Sequence, residues 1–345
     1  KVIHMKNKVK AVLMDTGVDK NHEYLKDNII GGMSFSCDDE YITADDNYED
    51  ENGHGTSCAS VIKREFKDVE IFAVKVLDEK GRTNIQILEE ALKYFLDKNF
   101  RLINLSLSVI ENEEVEDLYG ICGKLKEKGK IIVCSLANGF EKSYPASFDN
   151  VIGVKGFILE DENSFWYSKD KDIQCIMDNN PYMNCKPGNS YALFGKCNSQ
   201  AAGKLTGKIA RMLSEEPEMT FESLNDKLER MARRKNWTEK DLEASKRYPD
   251  FKKNLYDKNS PILLKTADAV KEALKLDKSD GIYEYGLFSR KIGLTYDNCF
   301  EVLKKLEGKF NIKFDYPNIS RYDFISIETL TDLVAKTLSY QKDNI

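Results

Sequence analysis

The sequence predicts an α/β protein: a mostly parallel sheet flanked by helices, followed by a small all-α helical bundle. Three observations carry this. Short apolar runs of strand character alternate with amphipathic, helix-like stretches from Val9 to Gly156. Such alternation produces parallel strands with helices on both faces. Polar residues suited to chemistry sit directly behind several of those runs. From Ser214 onward the strand-like runs give way to helical patterns rich in Lys, Arg and Glu.

In chain order, Val9–Met14 is a strand-like run ending in Asp15-Thr-Gly17. Glu70–Val76 predicts a strand, Ile85–Lys98 an amphipathic helix, and Leu102–Leu107 a strand. Val115–Lys128 predicts a helix, and Lys130–Leu136 and Val151–Gly156 predict strands. In open parallel sheets, active residues gather beyond the carboxyl ends of strands. Asp15, the Ser106 region and Asn138 all follow strand-like runs and are expected to converge. A first domain is drawn over residues 8–213 and a helical connector over residues 214–277. In the connector, Thr238 caps a helix at Thr238-Glu-Lys-Asp241, and Pro249 and Pro261 break the pattern. A small helical domain follows at residues 278–342.

The bulk composition excludes several classes. With 345 residues, 41% hydrophobic and 32% charged, the chain is globular and long enough for two domains. It has no apolar run of membrane-spanning length. Its net charge is −6 without a basic block, so neither membrane nor nucleic acid is expected as a partner. The acidic runs Asp38–Glu40 and Asp45–Glu51 predict solvated loops, with a cation site as the alternative. Eight cysteines lack paired CxxC motifs, so no metal is expected and the thiols should pack as small hydrophobes. No signal peptide precedes the first strand, and Met5 is taken as the natural start. These features point to a reducing cytoplasm.

Peptide hydrolysis by serine needs a hydroxyl, an imidazole, a carboxylate to orient it, and donors for the oxyanion. Asp15 ends an apolar run, although an aspartate before Gly17 also suits a plain turn. His54 lies in Asn52-Gly-His-Gly-Thr56, where glycines allow close backbone approach. Of the other two histidines, His4 lies in the leader and His22 suits a structural hydrogen bond. Ser199 lies in Cys197-Asn-Ser-Gln-Ala201 at the start of the helix Lys204–Leu213, near free N–H groups, where a simple capping serine would also fit. Asn138 follows a strand, and its amide can donate to an oxyanion or merely form a turn.

Together these motifs resemble the subtilisin-like serine protease family. That family carries Asp-(Ser/Thr)-Gly, His-Gly-Thr and Gly-Thr-Ser-x-Ala in this order. Ala73-Val-Lys-Val-Leu77, Ile103-Asn-Leu-Ser-Leu107, Tyr144-Pro-Ala146 and Val151-Ile-Gly-Val154 resemble its intermediate landmarks. The resemblance implies Asp15, His54 and Ser199 as catalytic triad and Asn138 as oxyanion donor. It also implies Ser106, Leu107 and Ser108 as one wall of the substrate cleft and Gly81, Arg82 and Thr83 as the other. An extended substrate would add between them as a strand. If Arg82 faces the cleft it favours acidic groups upstream of the cut; otherwise it is a solvated loop charge.

The chain departs from the family pattern in several places. Cys197 replaces the glycine before the nucleophile motif, and a cysteine nucleophile in that register is rejected because Ser199 keeps the spacing to Ala201 and Gly207. Gly203 and Lys204 replace a proline and a histidine. Ser108-Val109 replaces a glycine-rich strand, the stretch from Asn138 to Tyr144 is short, and no pro-domain is expected ahead of Asp15. Residues 278–342 resemble acyl carrier proteins, but Thr295-Tyr296 stands where that family has Asp-Ser, so no phosphopantetheine is expected and docking is the implied role. The implied function is an intracellular endopeptidase, with leader removal in peptide natural-product maturation as the pathway. The alternative is a peptide-binding scaffold with little catalysis.

Overall fold

A computed structural model of the chain describes residues 8–38, 41–110, 115–247, 255–277 and 281–342. The leader, Asp39–Glu40, Pro249 and the start of the domain drawn at residue 278 lie outside these residues. Elements run in the order β1 (Val9–Asp15), β2 (Ile29–Asp38), β3 (Tyr41–Asp45), α1 (His54–Glu65), β4 (Val69–Lys75), α2 (Ile85–Tyr94), β5 (Leu102–Leu105), α3 (Val115–Glu127), β6 (Ile131–Ser135), β7 (Ile152–Phe157), β8 (Phe165–Tyr167), β9 (Cys175–Asp178), β10 (Tyr182–Lys186), β11 (Ser190–Phe194), α4 (Asn198–Glu215), α5 (Phe221–Met231), α6 (Glu239–Ser245), α7 (Pro261–Leu274), α8 (Cys299–Phe310) and α9 (Ile327–Lys342). No helix among the described residues is long and apolar enough to cross a membrane.

One nine-stranded sheet runs β3-β2-β4-β1-β5-β6-β7-β9-β8. Pairings are parallel except β2 with β3 and β8 with β9. The central strands β1, β5 and β6 are apolar along much of their length because both faces are covered, as parallel sheets require. Helices α2 and α3 cover one face, where Leu88, Leu92, Leu118 and Leu125 pack with Val12, Ile103 and Ile132. Helices α1 and α4 lie against the other. Their close approach depends on Gly207, where a Cβ would fall 2.4 Å from the Glu65 Cβ.

Two compact units are present. The first holds residues 1–180, 185–189 and 195–247; the second holds residues 181–184, 190–194 and 248–345. This redraws the boundaries expected from sequence, because the connector is divided. Trp237 and Leu242 bury against Leu159, Trp166 and Ile176, which places α6 in the first unit. Leu263, Ala267 and Val270 of α7 bury against Leu303 and Leu306 of α8 in the second. Nor is the second unit purely helical. Residues from β10 and β11 enter it: the Met183 N–H donates to the Ile319 carbonyl at 2.9 Å, and the Leu193 N–H to the Tyr296 carbonyl at 3.1 Å.

Candidate active site

Asp15 is the last residue of β1 and is fully buried. Its Oδ1 accepts from the Thr16 N–H at 2.7 Å and lies 2.7 Å from the His54 Nδ1. His54 is the first residue of α1, preceded by Gly53 in the left-handed region at φ 90°. Burial alone would push the imidazole pKa down. The Asp15 carboxylate, by its charge and its hydrogen bond, opposes this and holds His54 well above its ordinary 6.5.

Asp50 organises this corner, although the sequence placed it in a solvated acidic loop. It is 5% exposed. One carboxylate oxygen accepts from the Thr16 hydroxyl at 2.8 Å and from the Asn52 and Gly53 N–H groups at 3.1 and 2.7 Å. The other accepts from the Thr56 N–H and hydroxyl at 2.8 and 2.6 Å. Asp50 therefore supplies the acceptor that the N-terminus of α1 needs and fixes the Thr16 turn beside the helix. The signal available in the sequence was an acidic residue four positions before the histidine at a helix start.

Cys58, one helical turn beyond His54, was also missed. Its Sγ lies 3.8 Å from His54 Nδ1, and its thiol shares a hydrogen bond with Ser106. Asp15, His54 and Cys58 present three ligand-type atoms within 4.8 Å of one another. Burial pushes the Cys58 thiol up to about 12, so it stays protonated, while the carboxylate is engaged by the imidazole. This chemistry suits a hydrogen-bonded dyad better than a thiolate metal ligand.

Ser199 sits in the first turn of α4, 6% exposed, and its hydroxyl donates to the Ser106 carbonyl at 3.4 Å. Asp15, His54, Cys58, Ser106 and Ser199 thus form one connected cluster. Ser106 is held in turn by Asn104, whose amide donates to the Ser106 hydroxyl at 2.8 Å and accepts from Thr206 of α4 at 2.8 Å. Asn198, a third residue that sequence reasoning passed over, pins the front of α4. Its amide donates to the Leu136 carbonyl at 2.8 Å and accepts from the Gly156 N–H at 2.8 Å. Its own N–H donates to Asn138 Oδ1 at 3.0 Å. That contact fixes the Asn138 amide with its NH₂ as the end available to an oxyanion.

Cys197 is the extended residue that precedes α4. Burial raises its thiol pKa against the lowering effect of the Gln200 and Ser199 N–H groups and of His54. A protonated thiol at that position fits the choice of Ser199 as nucleophile. Lys204 is buried, with Nζ donating to the Glu162 carbonyl at 2.7 Å and lying 3.7 Å from Asp178 Oδ1. Burial lowers its pKa and Asp178 opposes that shift. His22 is fully buried, and its Nδ1 accepts from the Tyr24 N–H at 3.2 Å, a structural placement.

The expected cleft walls are placed as follows. Leu107 is buried and Ser108 half-buried; Val109 then exchanges backbone hydrogen bonds with Tyr144 at 2.7 and 2.8 Å. Gly81 lies at φ 72° in a tight loop, where the Gly81 N–H donates to the Asp78 carbonyl at 2.9 Å. Arg82 and Thr83 line a groove of about 640 Å³ together with Glu51, Lys75 and Ile87. The Arg82 guanidinium is held by Asp78 at 2.8 and 2.9 Å. The pair lies within the loop, and the Arg82 side chain stays 67% exposed.

Comparisons with known proteins agree with the family and the fold. The subtilase family model matches residues 6–258. The chain is 28% identical over 236 residues to the major intracellular serine protease of Bacillus subtilis, covering 63% of this chain and 72% of that one. It is 25% identical over 218 residues to an intracellular serine protease of Paenibacillus polymyxa, covering 59% of this chain and 65% of that one, just under two thirds of its length. Among solved structures, a cold-adapted subtilisin-like serine proteinase matches with TM-score 0.53 at 20% identity, over 64% of this chain and 81% of that one. Sphericase matches with TM-score 0.56 at 19% identity, over 65% and 83% respectively. On the extent of that family match, this chain belongs to the subtilase family.

Proposed function

We propose that the chain is a serine endopeptidase working through an acyl-enzyme. The observation that carries this reading is the 2.7 Å contact between Asp15 Oδ1 and His54 Nδ1, in one cluster with a buried serine at a helix N-terminus. With Nδ1 committed to Asp15, His54 Nε2 is the nitrogen that takes the Ser199 proton and later returns it to the leaving amine. Ser199 forms the acyl-enzyme, and water activated by the same imidazole releases it. The Asn138 amide and the N–H groups at the start of α4 stabilise the oxyanion. Asn138→Ala is expected to lower kcat by ~10²–10³ with KM little changed, a range established on subtilisin. Steady-state kinetics on a peptide substrate check it.

The raised His54 pKa sets the pH profile. The base must be neutral, so the acid limb of kcat/KM should have its midpoint above 6.5. A limb centred at or below 6.5 would show that Asp15 does not hold the imidazole. For stability the sign is opposite. The contribution of the charged pair is fully present below 6.5 and is lost as pH rises through the raised folded-state value.

The finer reading is an intracellular enzyme that removes a leader from a precursor peptide, with the second unit docking that precursor. Support comes from the intracellular relatives and from the carrier-like pattern of residues 278–342. No pantetheine arm is part of this reading, since Tyr296 occupies the place of the attachment serine. Incubation with candidate precursor peptides should give one discrete cut; general degradation of casein would instead indicate a housekeeping protease. The second reading, a peptide-binding scaffold, is favoured by Cys197 beside the nucleophile. Rapid labelling of Ser199 by a fluorophosphonate would rule it out.

A further inference from the structure

The chain contains two Asn-Gly pairs, Asn52-Gly53 just before His54 and Asn138-Gly139 at the proposed oxyanion donor. An asparagine followed by glycine is open to attack on its own side-chain carbonyl, because no Cβ shields the next backbone nitrogen. At Asn52 that route is closed. The Gly53 N–H donates to the buried Asp50 carboxylate at 2.7 Å, and the Asn52 amide donates to the Glu79 carbonyl at 2.9 Å. At Asn138 it is open. Both residues are exposed, in a turn closed by one backbone bond, from the Phe140 N–H to the Ala137 carbonyl at 3.2 Å. Among the described residues nothing accepts from the Gly139 N–H, and a Cβ at Gly139 would meet nothing within 4 Å. The Asn198 N–H donates to Asn138 Oδ1 at 3.0 Å. A donor thus already faces the oxygen on which charge develops when Cγ is attacked.

We propose that Asn138 is a self-modification site whose conversion to an acid silences the enzyme with age. The Gly139 nitrogen gives its proton to solvent hydroxide and bonds to Asn138 Cγ. The Cγ–Nδ2 bond breaks, and the nitrogen leaves as ammonia with a proton from water. Water then opens the cyclic imide, leaving aspartate or isoaspartate. Either product replaces an NH₂ donor with a carboxylate, whose charge opposes an oxyanion. The loss of activity rests on the endopeptidase reading; the modification itself does not.

The test ages the full chain at mildly alkaline pH, where the amide proton is lost most easily, and maps its peptides by mass spectrometry. The Ser199→Ala chain, which lacks the proposed nucleophile and so should not digest itself, should acquire aspartate and isoaspartate at Asn138 and far less at Asn52. In the parent chain, kcat per intact molecule on a short chromogenic peptide should fall in proportion to the converted fraction. A fully converted sample should keep ~10⁻²–10⁻³ of its starting value. Gly139 lies at φ 83°, a region that asparagine tolerates. Gly139→Asn, which crowds the attacking nitrogen, should therefore start active and decay more slowly. No conversion at Asn138, equal conversion at Asn52, or decay of Gly139→Asn at the parent's rate would overturn the proposal. A fresh parent chain without activity would count against the endopeptidase reading, while the peptide map of Ser199→Ala would still decide the modification.

Discussion

Ser199→Ala is expected to lower kcat for peptide hydrolysis by about 10⁶-fold, the scale established on subtilisin when its nucleophile or base is removed. The physical reason is that the hydroxyl at the front of α4 is the atom that would form the acyl bond. Neither neighbouring thiol is a substitute, because burial raises the pKa of both Cys58 and Cys197. The fold should be unaffected: the lost hydroxyl makes one long contact, 3.4 Å to the Ser106 carbonyl. Single-turnover hydrolysis, fluorophosphonate labelling and a melting curve on the same preparation check all three parts. Residual activity of ~10³–10⁴ over water would still be expected from the oxyanion donors and binding. A variant as active as the parent would remove Ser199 from the mechanism.

Asp50→Ala should have the second largest effect and should act on stability and activity together. It leaves five donor groups on Thr16, Asn52, Gly53 and Thr56 without their carboxylate. Each buried donor left unpaired costs ~1–3 kcal/mol, but water will reach some of them, so a loss of about 3 kcal/mol is expected. That corresponds to a fall in Tm of roughly 6–12 °C. Because α1 begins at His54, loosening its first turn displaces the imidazole from Asp15. A misplacement of ~1 Å can cost about 10² in rate. Differential scanning calorimetry and kcat/KM measured well below the new Tm separate the two effects. An unchanged melting curve would show that Asp50 is a surface loop residue after all.

What the sequence made legible follows the strength of each local signal. Strands β4 to β7 and helices α2 and α3 have uniform apolar runs or regular amphipathic spacing, and their structural limits lie within a few residues of those expected. The clearest miss is β2. Its Gly31-Gly32 pair and alternating serines do not read as a strand. Yet a Cβ at Gly32 would fall 2.4 Å from the Tyr48 ring, so glycine is what lets the edge pack. The short β8 and β9 were missed because strand length, not composition, hid them. At the site, Asp15, His54, Ser199 and Asn138 stood out through their motifs. Residues that hold them in place, Asp50, Cys58 and Asn198, did not, since an aspartate in an acidic run reads as a solvated loop until the fold buries it against the Thr16 hydroxyl and the first turn of α1. The connector was misdivided for the same reason: polar helices give no clue from sequence as to which core receives their few apolar residues.

The ribbon residues counted with the second unit have a consequence for biosynthesis. Residues 181–184 and 190–194 are translated just ahead of the nucleophile, but Ile319 and Tyr296, the carbonyls that receive their N–H groups, come more than a hundred residues later. A nascent chain released only as far as Arg247 contains Asp15, His54 and Ser199 and still lacks the acceptors for residues 181–184 and 190–194. Pairing of those two short strands within the second unit thus waits for segments made much later, a timing that the linear order of the motifs conceals.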